Sequence, residues 1–454
     1  MAVGKRETGE QTMWVATSSL PKSPGHPFYE KLNALLRAAE FDRFCEEQCA
    51  PYYAAGVGRP SIPPGVYFRM LMVGYFEGIG SQRGIAWRCS DSLALRAFLG
   101  LKVTEEAPDH SSLTVIRQRL PVAVHEAVFG KALGIAQQRQ LLKGGTVAVD
   151  ATTLEANAAM KSIVRRDTGE DWKEYLTRLA KDAGIENPTD EDLRRFDRKR
   201  KGKKVSNAQW QSPTDPDSRI TKMKDGRTHL AYKAEHAVDL ETELVVAARI
   251  APADQGDAQT LVETLAAAQE NLREAGSAQN VNEVVADKGY HQAETLADCG
   301  ETQTRTYIPE PRGKRRRWTD KLAAWREAVY ANRRRCRGRR GKRLQRWRSE
   351  RVERSFAHVC ETGGARRSWL RGLWEVAKRY LIHVAAHNLG LIMRKLFGIG
   401  TPRSLQGSLR VFLALGRVVF GPLEAHIVLW IHPQPAVHTE LPHPRSTVAT
   451  LAAA

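Results

Sequence analysis

The sequence has few of the features that mark secreted proteins. Only six of its 454 residues are cysteine, and no two of them form a CxxC pair. This spacing is not that of a zinc ribbon or a disulfide framework, and reduced thiols are the simplest interpretation. The opening stretch MAVGKRETGEQTMW is charged and has no apolar core, so it does not have the pattern of a secretory signal peptide. We therefore expect a cytoplasmic protein.

Long apolar runs are also scarce. The longest candidate, residues 411–431, is interrupted by Arg417, Gly421, Pro422 and Glu424. Because a membrane span needs about 20 mostly apolar residues, this pattern favours a helical hairpin over a span. No membrane partner is expected.

Acidic residues are too few to balance the basic ones. The chain has 70 Lys and Arg against 51 Asp and Glu, which gives a formal net charge of +19. An excess of this size concerns binding partners rather than fold. Nucleic acid and an anionic membrane surface both attract it, and nucleic acid is the commoner partner.

The excess is concentrated in residues 312–351. This segment has 18 Lys or Arg and three acids, with Trp318, Trp325 and Trp347 interleaved. A charge run is often only a solvated surface. Here most charges are positive and aromatic residues lie among them, which favours contact with DNA.

Two regions differ in their periodicity. Residues 1–28 are polar and predict a flexible N-terminus, and residues 29–140 have the apolar spacing of helices and predict an all-α domain. After Gly144 and Gly145 the pattern changes to alternating strands and helices, which predicts an α/β domain over residues 141–398. The strand candidates lie in TVAVDATTLEAN, HLAYKAEHAVDL, ELVVAARIAPA, VNEVVADKGY and TQTRTYIPEP.

Their order predicts a mixed sheet with helices on its faces. Residues 160–225 are polar and charge-dense, and they predict a long insertion or flexible region. Residues 399–454 predict a C-terminal helix followed by a disordered tail.

Two aspartates end apolar strand candidates. Asp150 closes VAVD and Asp287 closes VVAD. Each is explained alone by a turn or cap. If the two strands are neighbours, however, the carboxylates lie side by side and repel unless a cation lies between them. Mg²⁺ prefers such oxygen ligands, and with a third carboxylate two ions about 3.5–4 Å apart become possible.

The third acid is expected on the helix SERVERSFAHVCE, where two glutamates are candidates. Glu353 lies beside the apolar stripe of this helix, at the edge of the face expected to be buried. Glu350 is flanked by two arginines and better suits a surface ion pair. Glu353 is therefore favoured.

These segments resemble the DDE transposases of bacterial insertion sequences over residues 29–397. TVAVDATTLEANA is similar to the segment with the first catalytic Asp, VVADKGYHQAE matches the AD-x-GY segment, and VERSFAHV matches the VE-x-x-F segment. The helical N-terminal stretch is similar as well. The resemblance implies that Asp150, Asp287 and Glu353 are catalytic and bind metal.

The resemblance also implies a fold and an activity. The fold is an RNase H-like catalytic domain, with a mixed five-stranded sheet flanked by helices, after an all-α DNA-binding domain. The activity is metal-dependent cleavage at insertion-sequence ends and strand transfer into target DNA, using two Mg²⁺ or Mn²⁺ ions. Two alternatives stay open: a catalytically inactive transposase-derived DNA-binding protein, and an RNase H-like nuclease without strand transfer.

The implied partners are double-stranded DNA, as terminal inverted repeats and target DNA, and a second copy of the chain on that DNA. The location is the bacterial cytoplasm, at the nucleoid when DNA is bound. Relatives often have Tyr, Arg and Lys around the glutamate, where this chain has Arg346, Ser349 and Cys360. The residues expected to contact DNA are Arg315, Arg316, Arg317, Trp318, Arg346, Arg348, Arg351 and Arg354.

Some polar side chains have a structural interpretation. Tyr290 and His291 follow Asp287 and either cover the sheet edge, which is favoured for Tyr290, or meet DNA. His383 and His387 have the i, i+4 spacing of a metal pair, but the core of a helix is the favoured place for them.

Overall fold

The computed structural model describes residues 25–54, 61–201, 205–223, 225–313 and 317–405, together with Trp14, Ala16 and Gly58. Residues 25–403 belong to one compact unit. The flexible N-terminus predicted for residues 1–28 and the helix and tail predicted for residues 399–454 lie almost wholly outside the described residues. No helix in the described ranges has the length and apolarity needed to cross a membrane.

Helices fill the region in which an all-α domain is predicted. Polar residues begin several of them: Ser81, Ser92 and Asp109 each accept a hydrogen bond from a backbone N–H in the first turn. The helices are α1 (Pro27–Ala38), α2 (Phe41–Cys49), α3 (Pro64–Glu77), α4 (Gln82–Asp91), α5 (Leu93–Leu99), α6 (His110–Arg119) and α7 (Val122–Gln138).

The described strands form a mixed sheet, as predicted, and a separate pair of two short strands. They are β1 (Thr146–Glu155), β2 (Val164–Arg165), β3 (Trp210–Gln211), β4 (Arg219–Lys222), β5 (Thr228–Asp239), β6 (Val245–Pro252), β7 (Glu283–Val285) and β8 (Arg305–Tyr307). The main sheet has the order β4-β5-β1-β7-β8, and β6 also pairs with β5, whereas β2 and β3 form the separate pair. β1 is antiparallel to β5 and parallel to β7, which is in turn parallel to β8.

The prediction of five strands was one strand short. β5 is 12 residues long, and its edge away from β1 pairs with β6 over residues 232–238 and with β4 over residues 228–231. The additional strand, β4, lies in the polar segment 160–225 and is half-buried or exposed throughout. Its residues therefore lack the apolar alternation by which strands are recognised in a sequence.

Most of the same polar segment is folded, and its described residues agree with the expected long insertion rather than with the flexible region given as its alternative. It contains α8 (Trp172–Asp182) and α9 (Asp190–Lys199), each begun by a capping box. Leu176, Ala180 and Leu193 form a small buried cluster between these helices. Local capping and this small cluster order a segment whose composition is typical of disorder.

The remaining helices cover the sheet and follow it. They are α10 (Asp257–Glu274), α11 (Ala293–Glu301), α12 (Ala323–Arg337), α13 (Arg339–Phe356) and α14 (Leu373–Phe397). Most of the basic segment 312–351 is therefore helical, in α12 and α13. α13 crosses the sheet and contacts β1, β5, β7 and β8. Its buried side includes Leu344, Val352 and Phe356, whereas many of its arginines remain accessible to solvent.

α14 connects the N-terminal helices to the sheet. It packs against α3 and α7 on one side and against β6 on the other. The side chain of Asn388, which is fully buried, accepts a hydrogen bond from the Val245 N–H (3.0 Å) and donates one to the Val245 carbonyl (2.8 Å). The boundary between domains near residue 140 stays a prediction, because this helix packs against elements from both sides of it.

Replacing Asn388 tests this connection. Asn388→Ala leaves the N–H and C=O of Val245 without their side-chain partners, and an unsatisfied buried polar group costs about 1–3 kcal/mol. We expect the free energy of unfolding to fall by about that amount in urea denaturation. Asn280→Ala is the control, since Asn280 is exposed. Equal stability of the two variants would contradict the prediction.

Candidate functional site

Strand register brings Asp150 and Asp287 to the same level of the sheet. β1 and β7 are parallel, and Ala148 pairs with Val285. Asp150 lies two residues beyond the first of these partners, and Asp287 lies two residues beyond the second. The predicted proximity of the two aspartates therefore follows from a single pair of neighbouring strands.

Asp287 lies two residues beyond the end of β7 and begins a turn. Its Oδ1 atom accepts a hydrogen bond from the Gly289 N–H at 2.7 Å and caps the short 3₁₀ turn Lys288–Tyr290. The turn interpretation of this residue is thus correct in itself. It leaves the carboxylate beside the end of β7, close to Asp150.

The charges of neighbouring acids affect Asp150. Its Oδ2 accepts a hydrogen bond from Arg348 Nη1 at 2.7 Å, and its Oδ1 accepts one from the Ala151 N–H at 2.8 Å. Burial raises the pKa of Asp150, Arg348 and the backbone bond lower it, and the negative charges of Asp287 and Asp257 raise it further. These opposing effects indicate a group of acids around one partly buried position.

Asp257 is a further acid near this site, and nothing in the sequence analysis connects it with Asp150 or Asp287. It is the first residue of α10. A Cβ atom at Gly289 would lie 2.8 Å from Oδ2 of Asp257 and 2.9 Å from Oδ1 of Asp287. The two oxygens are therefore no more than about 6 Å apart, a range in which like charges affect one another. Glycine permits this close approach because it has no side chain.

A buried network of polar side chains holds Asp257 in place beside Asp287. Lys233 Nζ donates to Asp257 Oδ1 (2.8 Å) and to Thr260 Oγ1 (2.9 Å), and lies 3.5 Å from Glu235 Oε1. The Tyr290 hydroxyl donates to the same Glu235 oxygen at 2.7 Å. Lys233, Glu235 and Tyr290 are at most 4 % exposed. The favoured interpretation of Tyr290 as a packing residue is thereby confirmed.

Glu353 is the least engaged of the three predicted catalytic residues. It lies on α13 and is exposed, and in the described part of the chain its side chain has no ion-pair partner. It follows Arg348 by five residues, which is about 7.5 Å along a helix axis. Glu350 pairs with Arg354 at 2.6 Å, as the surface interpretation of that residue predicts. Helix α13 therefore leaves the Glu353 carboxylate unengaged.

The donor set suits a hard divalent cation. Asp150, Asp257 and Asp287 offer carboxylate oxygens, which are the ligands that Mg²⁺ and Mn²⁺ prefer. Within the described ranges, however, no three His, Cys, Asp or Glu side chains are arranged so that they could hold a metal ion. Arg348 also occupies Oδ2 of Asp150. The carboxylate oxygens thus suit the ion chemically. In the present arrangement, however, full coordination requires side chains to move.

Three of the arginines expected to bind DNA are engaged within the protein. Arg348 bonds to Asp150, Arg354 pairs with Glu243 at 2.7 Å and with Glu350, and Arg351 lies 3.9 Å from Glu243. Intramolecular carboxylates thus compete with phosphate for all three side chains.

The other expected DNA contacts differ among themselves. Arg346 and Arg317 are exposed. Trp318 is half-buried, with its ring centroid 6.2 Å from that of Tyr330. Arg315 and Arg316 lie outside the described residues. Arg346 and Arg317 are accordingly the most accessible of this set.

A second basic and aromatic surface lies at residues 366–374, which the sequence analysis passed over. Trp369 and Trp374 are 53 % and 61 % exposed, and the Arg367 guanidinium lies 4.9 Å from the Trp369 ring centroid. Arg366 Nη1 donates to Thr152 Oγ1 at 2.9 Å, so the segment is attached to the end of β1 beyond Asp150. The sequence RRSWLR carried the signal, but it lies outside the longer basic run.

Ser349 and Cys360, at positions where relatives often have other residues, and the histidine pair have structural roles here. Ser349 Oγ donates to a backbone carbonyl of its own helix, and Cys360 is buried. His383 and His387 are buried in α14, and His387 Nδ1 lies 3.1 Å from the Tyr75 hydroxyl. The core interpretation of both histidines is confirmed.

Replacing Tyr290 distinguishes a packing role from DNA contact. Tyr290→Phe removes the hydroxyl that donates to buried Glu235, so we expect the free energy of unfolding to fall by about 1–3 kcal/mol with DNA affinity unchanged. Lys288→Ala is the control, because Lys288 is exposed and its loss should leave thermal stability unchanged. Weaker DNA binding with unchanged thermal stability in Tyr290→Phe would show that Tyr290 faces DNA.

Comparison with protein families gives two successive matches. A model described as "Transposase domain (DUF772)" matches residues 18–119, and one described as "Transposase DDE domain" matches residues 143–389. Comparison with curated proteins gives no match, and comparison with solved structures gives none either. The second family model covers more than half of the chain and includes Asp150, Asp287 and Glu353. The chain therefore belongs to the DDE transposases of the insertion-sequence type.

Proposed function

We propose that this DNA transposase cleaves DNA at the ends of an insertion sequence and transfers the freed ends to target DNA. The observation that carries the proposal is the placement of Asp150 and Asp287 two residues beyond the same pair of strand partners. This placement lies inside the family's DDE domain. It is the position that two catalytic carboxylates of an RNase H-like sheet require.

Asp150, Asp287 and Glu353 are the residues proposed to hold the metal, and DDE domains generally use divalent ions. Two Mg²⁺ or Mn²⁺ ions bound there would lower the pKa of a water and stabilise a leaving oxygen in phosphoryl transfer. The chain's part is to hold Asp150 on β1 and Asp287 just beyond the end of β7, and to supply Glu353 from α13. Burial raises the pKa of Asp150, and the positive charge of Arg348 opposes that rise.

The reaction needs no covalent enzyme intermediate. Water attacks the phosphorus at the element's end, the bond from phosphorus to the 3′ oxygen breaks, and a 3′-OH results. That hydroxyl then attacks a phosphorus in target DNA and displaces another 3′ oxygen, so the transfer step breaks one phosphodiester bond and forms one. Joining two ends requires two active sites, which supports action as a dimer on DNA.

The proposed DNA path uses exposed cations on both sides of the site. Arg346 and Arg317 lie on the basic segment, and Arg367, Trp369 and Arg371 lie near the end of β1. Positive charge with interleaved aromatics suits a nucleic-acid backbone and its bases. The helices at residues 29–140 are proposed to form the DNA-binding domain that contacts the terminal inverted repeats.

One observation favours a second candidate, an inactive DNA-binding protein derived from a transposase. Within the described residues no three acids are arranged to hold a metal ion, and Arg348 occupies Oδ2 of Asp150. A nuclease without strand transfer is the third candidate. The three candidates would give different products from the same DNA substrate.

Substitution of the three acids tests catalysis. We expect Asp150→Asn, Asp287→Asn and Glu353→Gln each to reduce Mg²⁺-dependent cleavage of a terminal-repeat substrate by at least about 10³-fold, since each removes a ligand charge. DNA binding by gel shift should persist. Glu350→Gln is the matched control on the same helix and should cleave normally. Wild-type cleavage by Asp287→Asn, or cleavage in EDTA, would refute the assignment.

A substrate with a pre-cleaved 3′-OH end separates transfer from hydrolysis. The proposed transposase joins this end to target DNA without a preceding cleavage, and the product is a longer strand on a denaturing gel. A nuclease only shortens the DNA further, and an inactive binding protein leaves it unchanged.

The salt dependence of DNA binding tests the exposed arginines. Each phosphate contact contributes about 0.9 to the slope of log affinity against log salt. We expect Arg346→Ala to lower that slope by about this amount. We expect Arg354→Ala to change it little, because Glu243 and Glu350 already neutralise this side chain. A larger change in slope for Arg354→Ala than for Arg346→Ala would indicate that DNA lies on the other side of α13.

A further inference from the structure

Asp257 is not used as a helix cap, although it lies where caps occur. The N-cap of α10 is Gly256, and the Gln259 side chain accepts a hydrogen bond from the Gly256 N–H at 3.0 Å. An acid in the first turn is favourable to a helix dipole. That effect requires only a negative charge, however, and does not explain why the carboxylate is held in one orientation.

Lys233 fixes the orientation of this carboxylate. Its Nζ atom donates to Oδ1 of Asp257, and the opposite oxygen, Oδ2, faces Gly289. Lys233 is in turn held by Thr260 on α10 and lies near Glu235 on its own strand. Contacts from β5 and α10 therefore orient one oxygen of Asp257 toward Asp287.

Asp257 is not needed to neutralise Lys233. Glu235 is 2 % exposed and lies 3.5 Å from the same ammonium group, so the buried cation already has a buried anionic neighbour. The carboxylates around this position outnumber the cations by two, and the groups concerned are Asp150, Glu235, Asp257 and Asp287 against Lys233 and Arg348. A divalent cation balances that formal surplus.

We propose that Asp257 is a further acidic residue of the metal site, and that its Oδ2 oxygen takes part in holding the divalent cation beside Asp150 and Asp287. The proposal rests on the proposed function, because it assumes that those two aspartates bind the ion. It also assigns a role to Gly289: any side chain there would separate the Asp257 and Asp287 oxygens.

Mn²⁺ binding to the full-length protein without DNA tests the assignment independently of activity. We expect Asp257→Asn to weaken Mn²⁺ affinity at least tenfold in calorimetric titration or by electron paramagnetic resonance. Asp254→Asn is the matched control: Asp254 lies three residues earlier, in the loop before α10, pairs with Arg219 at 3.6 Å, and is 39 % exposed, as Asp257 is. Affinity of Asp257→Asn equal to that of wild type or of Asp254→Asn overturns the proposal.

A second variant leaves every charge in place. Gly289→Ala inserts a methyl group within 3 Å of both oxygens, so they must move apart. We expect it to weaken Mn²⁺ binding as well, and unchanged affinity in a folded Gly289→Ala protein counts against the shared site. Thermal melting of each variant shows whether it is folded.

Fe²⁺ in place of Mn²⁺ gives a positional test on the wild-type protein. Hydroxyl radicals made at the bound iron cut the nearby backbone, and we expect fragments ending close to positions 150, 257 and 287. Cuts near 150 and 287 without one near 257 overturn the role of Asp257 alone. If Asp150→Asn and Asp287→Asn bind Mn²⁺ as wild type does, the proposed metal site itself is wrong.

Discussion

The parallel pairing of β1 with β7 is the constraint on which the site depends. A parallel pair keeps equivalent positions of the two strands level with each other. The partners Ala148 and Val285 therefore fix where both aspartates emerge. Because side chains alternate between the two faces of a strand, a shift by one residue would turn Asp150 to the other face and separate it from Asp287. The apolar core beneath the strands holds this register, so the packing of the core also fixes the geometry of the candidate site.

The elements recognised from the sequence are those whose burial leaves a clear pattern. β1, β5, β6, β7 and β8 each contain apolar residues in register, and α10 and α14 have helical spacing. The prediction failed where local hydrogen bonds rather than burial order the chain. α8 and α9 are held by capping boxes and a three-residue cluster, and β4 has no buried face.

The residues of the candidate site also fall into those recognisable from the sequence and those that were not. Asp150 and Asp287 were recognisable because a charged residue ends an apolar run. Asp257 was not, because it begins an ordinary amphipathic helix and only the fold brings it opposite Gly289. The partners of Lys233 and Glu235 likewise lie on other elements. The engagement of Arg348, Arg351 and Arg354 by carboxylates also depends on tertiary contacts, which a count of charges along the chain does not contain.

The two ends of the polar segment lie close together in the sheet. Glu155, at the end of β1, and Arg219, at the start of β4, pair with the same residue, Ala231, from opposite edges of β5. Two strand spacings of about 4.8 Å each separate them. The chain thus leaves the sheet after β1, forms a small folded unit with its own core, and returns almost to its point of departure. Residues can be gained or lost within such an excursion without altering the register of β1 and β5, so evolution is free to change its length while the two aspartates stay in place.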